Sequence, residues 1–595
     1  MKKNPKSFRN VLNMKKIISA GVLAGSLFVG TSAFAFGGTN AGKYNIQANL
    51  GAGIGVFQLQ DSTHGVAQLQ TNNAARSGQF SNYFATNLQG QLGLGALVGQ
   101  LQSTSGLSGQ TQGVSGFRNY QEQNATDTDL QGQLALGILV GQLQAANNGH
   151  NQSQSTSGAR NDQYQDIENL NLQGQGALGI AIGQGQISDN ENEQSQGNSG
   201  YRNDQEQAAG NGALQVQIGV GIGIGQGQSS SNANTQSQGS SGAWNDSSQG
   251  NLNETIQLQG ALGALIGQSQ QSDNGSLQVS EVGGINNEAN QVSETGTLQG
   301  QLGLGVLVGQ DQYSGNISEQ GAAVSGVNNI ADQLAGSLTA QVQIGALGAA
   351  QSQGSSDASG QSANVSGANN YSGQFVSNED TQVQAGGLGA AQSQNSSTGT
   401  LQGVDASGVN NVANQFAGNE SDQTQLGALG AEQNQSVENG TVQLEEVAGA
   451  GNSASQVAVS NASQSQIGGL GTDQNQAAVT NNEQGATVVG VGNNSDQTVV
   501  NTTDQSQAGV GASQSQYSEN NTSQTSTSVG VGNNTSQQAS TDTTQVQAGS
   551  GNSNQSSSSN TRQSSISAGI GVNQSQSSSF TVIQAQSAGE TEVAL

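Results

Sequence analysis

Glutamine recurs along this chain at a fixed interval, and that interval limits what the chain can fold into more than anything else in it. Gln89, Gln131, Gln173, Gln215, Gln257, Gln299 and Gln341 are spaced by 42 residues. Gln382, Gln423, Gln464 and Gln505 continue at 41, and Gln545 follows at 40. A partner two residues on keeps step, as in Gln91, Gln133, Gln175 and Gln217. A second pair closes each segment, as in Gln100/Gln102 and Gln142/Gln144. Self-similarity at a fixed period marks a repeat architecture, in which each unit buries itself against its neighbours.

The shortening has one location. Gln91 to Gln100 spans nine positions, Gln384 to Gln392 eight, and Gln507 to Gln514 seven. The lost residues come from the Gly-rich link, Leu92 to Gly99 in the first case, which therefore reads as a turn or arc. The unit also divides in two. A shift of 21 carries Gln131, Gln133, Gln142 and Gln144 onto Gln152, Gln154, Gln163 and Gln165. The second half is more polar and turns at an Asn corner: Asn119, Asn161, Asn203, Asn245 and their successors. Asn and Gly most readily adopt left-handed backbone angles, as a tight arc requires.

Gln-x-Gln puts two amides on one face of a strand. Gly every few residues and the lack of a 3.6-residue apolar stripe disfavour helix. The expected fold is all-β: a β-solenoid of stacked, cross-β-like coils built from Gln/Asn/Gly-rich tandem repeats. Gln89, Gln91, Gln131, Gln133, Gln173, Gln175, Gln215 and Gln217, with Asn119, Asn161, Asn203 and Asn245, are its structural ladder positions. Leu92, Leu134, Ile218, Leu302 and Ile344 are the expected apolar filling. The alternation of apolar and polar halves points to a 42-residue coil, and the Gln coincidence points to a 21-residue one. The 21-residue coil is preferred, and gives a rod of about 115 Å.

Composition fits no ordinary core: hydrophobic residues are 32%, charged 9%, aromatic 3%, and Gly numbers 89. Residues 1–35 read as a signal peptide, with Lys15 and Lys16 before an apolar run and Ala33-Phe34-Ala35 at the cleavage site. Residues 36–87 form a partly repeat-like N-terminal segment, 88–578 the tandem array, and 579–595 a C-terminal tail without an anchor or an unlike cap. Past the leader, six Lys and Arg face 39 Asp and Glu, a balance of −33. That disfavours nucleic acid and anionic membranes as partners, and no later stretch suits membrane insertion. Without Cys there is neither disulfide nor thiolate metal site.

Gly326-Val327-Asn328-Asn329-Ile330-Ala331-Asp332-Gln333 and Gly408-Val409-Asn410-Asn411-Val412-Ala413-Asn414-Gln415 resemble the repeats of the curli major subunit, in which Gly and Asn, an Ala and then a Gln follow an earlier Gln. The resemblance implies an extracellular functional amyloid, secreted unfolded and nucleated at the cell surface. It also implies self-association into biofilm-matrix fibres that support surface adhesion and cell aggregation, with a nucleator and secretion or chaperone accessory proteins as partners.

Catalytic, cofactor and metal sites are not expected, and the chain does not read as an enzyme. His64 and His150 read as exposed turn residues, and Ser188 to Glu193 as a solvated acidic turn. Arg76, Arg118, Arg160 and Arg202 recur at 42, with Trp244 in the next slot. They read as a column offset by acids such as Asp162 and Asp204, the alternative being a basic stripe for polysaccharide or an acidic partner. The alternative to a fibre subunit is a monomeric β-helix cell-surface adhesin that binds polysaccharide or a host ligand.

Overall fold

The computed structural model describes residues 36–72, 78–118, 120–511, 513–550 and 552–588. The leader and Asn119 lie outside them. All the described strands run parallel in one continuous sheet of 25 strands that winds into a β-solenoid.

One coil takes 42 residues, which corrects the preferred value of 21. Gln89 pairs with Gln131, Gln131 with Gln173, and Gln173 with Gln215. In the third coil, β3 (Tyr120–Leu136) forms one face, β4 (Leu139–Ala159) the other, and residues 137–138 and 160–161 are the two arcs. The 21-residue shift is real but relates the two faces of a single coil. It takes Gln131, seven residues before the arc at Ile138, to Gln152, seven before Ala159. The larger coil wins because it stacks apolar arc on apolar arc and Asn on Asn; a 21-residue coil would alternate them.

β1 (Phe36–Asn72) and β2 (Gly78–Phe117) each trace nearly a whole coil in the same register, Phe36 opposite Gly78. At the far end β25 (Asn573–Ala588) pairs with β23 (Asn534–Ser550). The stacked array therefore runs beyond 88–578 on both sides. Thirteen coils and a half, at about 4.8 Å each, give a rod of roughly 65 Å.

Side chains alternate strictly in and out. Because Gln133 faces inward, Leu134 faces out. The expected filling positions are accordingly outside: Leu134 and Ile218 are each 56% exposed, Leu302 and Ile344 are exposed, and Leu92 is half-buried. The apolar filling comes instead from the arcs themselves. Val98, Val140, Ile182, Ile224, Ile266 and Val308 stack as a column just past the Leu-rich arc and continue as Ala349 and Ala390. The rest of the interior is mostly Gln, Asn, Ser and Thr.

Candidate functional site: the amide ladders and the two edges

A polar interior survives only if its amides are paired. Many of the core Gln use both hydrogens of their NH2. One goes to the Gln Oε1 of the preceding coil, the other across the core to a backbone carbonyl of the facing strand. Gln133 donates to Gln91 at 3.2 Å and to the Leu143 carbonyl at 3.1 Å. Gln175 repeats this on Gln133 and Gly185, and Gln217 on Gln175 and Gly227. Gln131, Gln173 and Gln215 each reach the opposite strand as well, and Gln89 does so through Ser103. The expected Gln positions are all buried, and all but Gln89, whose Oε1 has no hydrogen-bond partner among the described residues, are bonded to a Gln of an adjacent coil.

The ladders have a direction. From Gln142 on Gln100 through Gln351 on Gln310, the donor lies in the later coil and the spacing stays at 2.8 Å. In this column each coil thus presents NH2 groups to the one before it and Oε1 atoms to the one after, whereas the amides at Gln333 and Gln374 are better satisfied in the reverse sense.

The Asn corners form a second ladder. Asn161, Asn203 and Asn245 are buried, and the Asn161 backbone N–H donates to Asn203 Oδ1 at 3.0 Å. Farther along, Asn329 N–H donates to Asn370 Oδ1 (2.9 Å), while its side-chain NH2 donates to the Ser325 carbonyl (2.9 Å) and the Gly284 carbonyl of the preceding coil (3.3 Å). One residue ties three coils.

Counting at 42 would also have revealed a third set, in mid-core, that the sequence reading passed over: Asn148, Asn190, Asn232, Asn274 and Asn316. Asn190 donates to Asn232, and Asn232 to Asn274, each at 2.9 Å. His150 stands in the neighbouring column and is not an exposed turn residue. It is buried in β4, with Ser108 Oγ 2.5 Å from Nδ1 and Asn169 Oδ1 2.7 Å from Nε2. Those partners suit a neutral ring protonated at Nε2, and burial lowers its pKa to about 4. Asp127, 3.5 Å away, is raised to about 8 by burial and by Asp129, so this contact joins two neutral groups at mid-acid pH. Ser, His and Asp meet here, but all three are buried inside the packed polar layer and no substrate can reach them. His64 lies in β1, and its side chain is outside the described residues. The Ser188–Glu193 segment is not a turn: it is mid-strand in β6 (Ala181–Tyr201), with Asn190 and Asn192 inward and the acids outward. Among the described residues no three His, Asp or Glu converge as a metal would need, and no helix is long and apolar enough to cross a membrane.

The two edges differ. On the Asn edge, Arg118, Arg160, Arg202 and Trp244 occupy one coil position, all at φ near +60°. Later coils fill that position with Asn286, Asn328, Asn369 and Asn410, then Gly451, Gly492 and Gly532. Among the described residues no ion pair joins an Arg of this column to Asp162 or Asp204. Arg118 lies instead over the Phe117 ring at 5.1 Å, and Arg202 over Tyr201 at 5.1 Å. Arg76 lies outside the described residues. On the other edge, Leu97, Ile138, Leu139, Ile180, Ile222 and Leu265 are each about half exposed, and their equivalents continue along the rod.

No family model, no curated protein and no solved structure matches this chain.

Proposed function

We propose that the chain is a secreted structural subunit of extracellular curli-like amyloid fibres in a bacterial biofilm matrix, supporting surface adhesion and cell aggregation. The observation that carries this reading is the direction of the Gln ladders. Whatever a coil needs for docking on its predecessor, the predecessor already displays: in-register backbone and Oε1 acceptors. A second copy laid on in the same sense would bring NH2 groups to Oε1 atoms. A reversed copy would bring like to like. Growth is therefore head to tail, by the chemistry that already joins coil to coil. The curlin-like segments give the same reading independently, and with it come the nucleator and the secretion and chaperone partners that such a subunit requires.

The test is assembly of purified residues 36–595 diluted from denaturant. Thioflavin-positive fibres should form after a lag that preformed fibres abolish, and aligned fibres should diffract at about 4.8 Å along their axis. A chain that folds yet stays monomeric at high concentration for days would sink the proposal.

A second reading is favoured by the Asn edge. Three exposed Arg, unpaired with Asp162 or Asp204 and stacked with aromatic rings, suit an acidic polysaccharide, with sugar faces on Trp244 and Tyr201. This adhesin would remain monomeric. Retardation of the chain in gels containing acidic polysaccharide, lost when Arg118, Arg160 and Arg202 are all changed to Gln, would support it.

A further inference from the structure

The Leu-rich edge is an anomaly in a chain this acidic. Eight successive arcs, from 92–99 to 385–391, contain no residue other than Leu, Ile, Val, Ala and Gly. Each of the first six carries at least two large aliphatics toward solvent, such as Leu136 and Ile138, Leu178 and Ile180, and Val306 and Leu307, at 47–59% exposure. Eight coils at about 4.8 Å, across an edge of two sheets about 10 Å apart plus their outward side chains, give on the order of 800 Å². A monomer's largest apolar patch is usually about 300–600 Å², while a standard interface buries about 800 Å² per partner.

We infer that this edge packs against the same edge of a second copy of the chain, pairing rods side by side. Three observations select that occupant. Contact between the sheet faces of two copies would bring acids together, whereas these eight arcs bear no charge. The shape is self-complementary: shallow apolar grooves run beside the aliphatic ridge, past Gly99, Gly141 and Gly183 and farther on past Gly267 and Gly309, so the ridge of one rod meets the groove of another at the same rung spacing. The uncharged run also ends at a definite point. The ninth arc brings Glu432 and the tenth Asp473. A two-fold pair centres near residues 218–267, at the middle of the patch. This contact is lateral and separate from the end-to-end stacking proposed above.

The chain has no Cys, so single introduced thiols can report which edges meet. Ile222→Cys lies near the proposed two-fold, and Tyr201→Cys on the opposite edge. Mild oxidation of freshly folded residues 36–595 should give a disulfide-linked dimer from Ile222→Cys at least ten times more abundant than from Tyr201→Cys. Adding Ile138→Thr, Ile180→Thr and Val306→Thr to Ile222→Cys should lower that yield about tenfold while circular dichroism is unchanged. Equal crosslinking at both edges, or none at Ile222→Cys, overturns the inference. So does loss of the crosslink when the chain co-floats with neutral phosphatidylcholine vesicles, since the edge would then be lipid-facing. Head-to-tail stacking brings neither thiol to its twin, so failure here leaves the fibre proposal standing.

Discussion

Every coil closes twice, and its two closures follow different rules. At the Asn edge the spacing Gly-x-x-Asn is the same from Gly158–Asn161 to Gly530–Asn533. At the Leu edge the link between Gln pairs falls from nine positions to seven. Hydrogen bonding explains the constancy: each corner Asn bonds backbone in its own coil and the preceding one and donates its N–H to the Asn side chain of the next, so a lost residue would break register in three coils. Packing explains the variation. The Leu edge rests on an apolar plug, and the first short arc appears where that plug shrinks from Val308 to Ala349. The tighter turn then takes a left-handed Gly348 (φ 61°), with Gly389 and Gly430 following in the next coils. Bonded corners hold length; packed corners trade it for volume.

The sharpest way to break this comparison is Gly326→Ala. Gly326 has φ 124°, and a Cβ there would lie 1.9 Å from the Gly284 carbonyl oxygen. The stacked backbones cannot part without breaking the Asn ladder. A loss of about 4 kcal/mol or more is expected, read as a large fall in denaturation midpoint. The matched change at the Leu edge, Gly389→Ala, has no atom within 4 Å of the new Cβ and carries only the left-handed cost of about 1–2 kcal/mol. Equal losses at the two sites would remove the distinction.

Between the edges, Gln259→Leu tests whether the ladders stabilise or merely fill. Gln259 donates to Gln217 and to the Ser269 carbonyl and accepts from Gln301. Leu strands a buried NH2 on Gln301 and a buried Oε1 on Gln217. A loss of about 2–4 kcal/mol is expected, despite the gain in apolar volume. A neutral or stabilising result would make the interior a matter of packing alone, as at the Leu edge.

This is also where the sequence was most and least legible. The Gln columns could be found by counting, because a substitution within one leaves two neighbours unpaired. The same logic applied to Asn148, Asn190 and Asn232, but those columns break into Thr398 and Asp357 farther on, since mid-core positions accept any small hydrogen-bonding group. The coil length was misjudged because the two faces share their Gln positions under a 21-residue shift, and only the arcs, apolar against Asn-cornered, tell them apart. Leu134 and Ile218 were misplaced because hydrophobicity was allowed to outvote alternation from Gln133 and Gln217. His150 was misplaced because a lone His is ordinarily exposed, and nothing local shows that it occupies an Asn column.

The buried acids add a pH dependence to the polar layer. Burial raises Asp127 and Glu445 from ordinary carboxyl values to about 8, and both lack hydrogen-bond partners on either oxygen. Asp357 and Asp380, facing each other across the core, are raised in the same direction. A carboxyl with a raised folded pKa contributes stability that is full below its unfolded pKa and is lost as pH climbs to the folded one. These groups therefore stabilise the rod below about pH 4 and cease to do so by about pH 8. His150 has the opposite sign: its lowered pKa costs stability as pH falls from 6.5 to about 4. One His against four carboxyls leaves a net fall in melting temperature from pH 4 to 8. Surface acids repel in the same direction, but salt screens them. Asp127→Asn with Glu445→Gln should flatten the slope measured at high salt. An unchanged slope would place the effect on the surface.

The smallest effect expected is a gain. Arg160 is held at φ 60°, where a side chain costs about 1–2 kcal/mol that Gly avoids. Its equivalents Gly451, Gly492 and Gly532 close the same corner with the same neighbouring Asn. Arg160→Gly should therefore raise stability by about 1 kcal/mol, less whatever the guanidinium gains over the Phe117 ring at 5.8 Å. Removing one of three stacked like charges acts in the same direction. If Arg160→Gly destabilises instead, the ring contact outweighs strain and repulsion together, and the Arg column is a structural brace. If it stabilises, the strain at Arg118, Arg160 and Arg202 is a cost the fold does not require, and the polysaccharide-binding reading of that edge gains its strongest support.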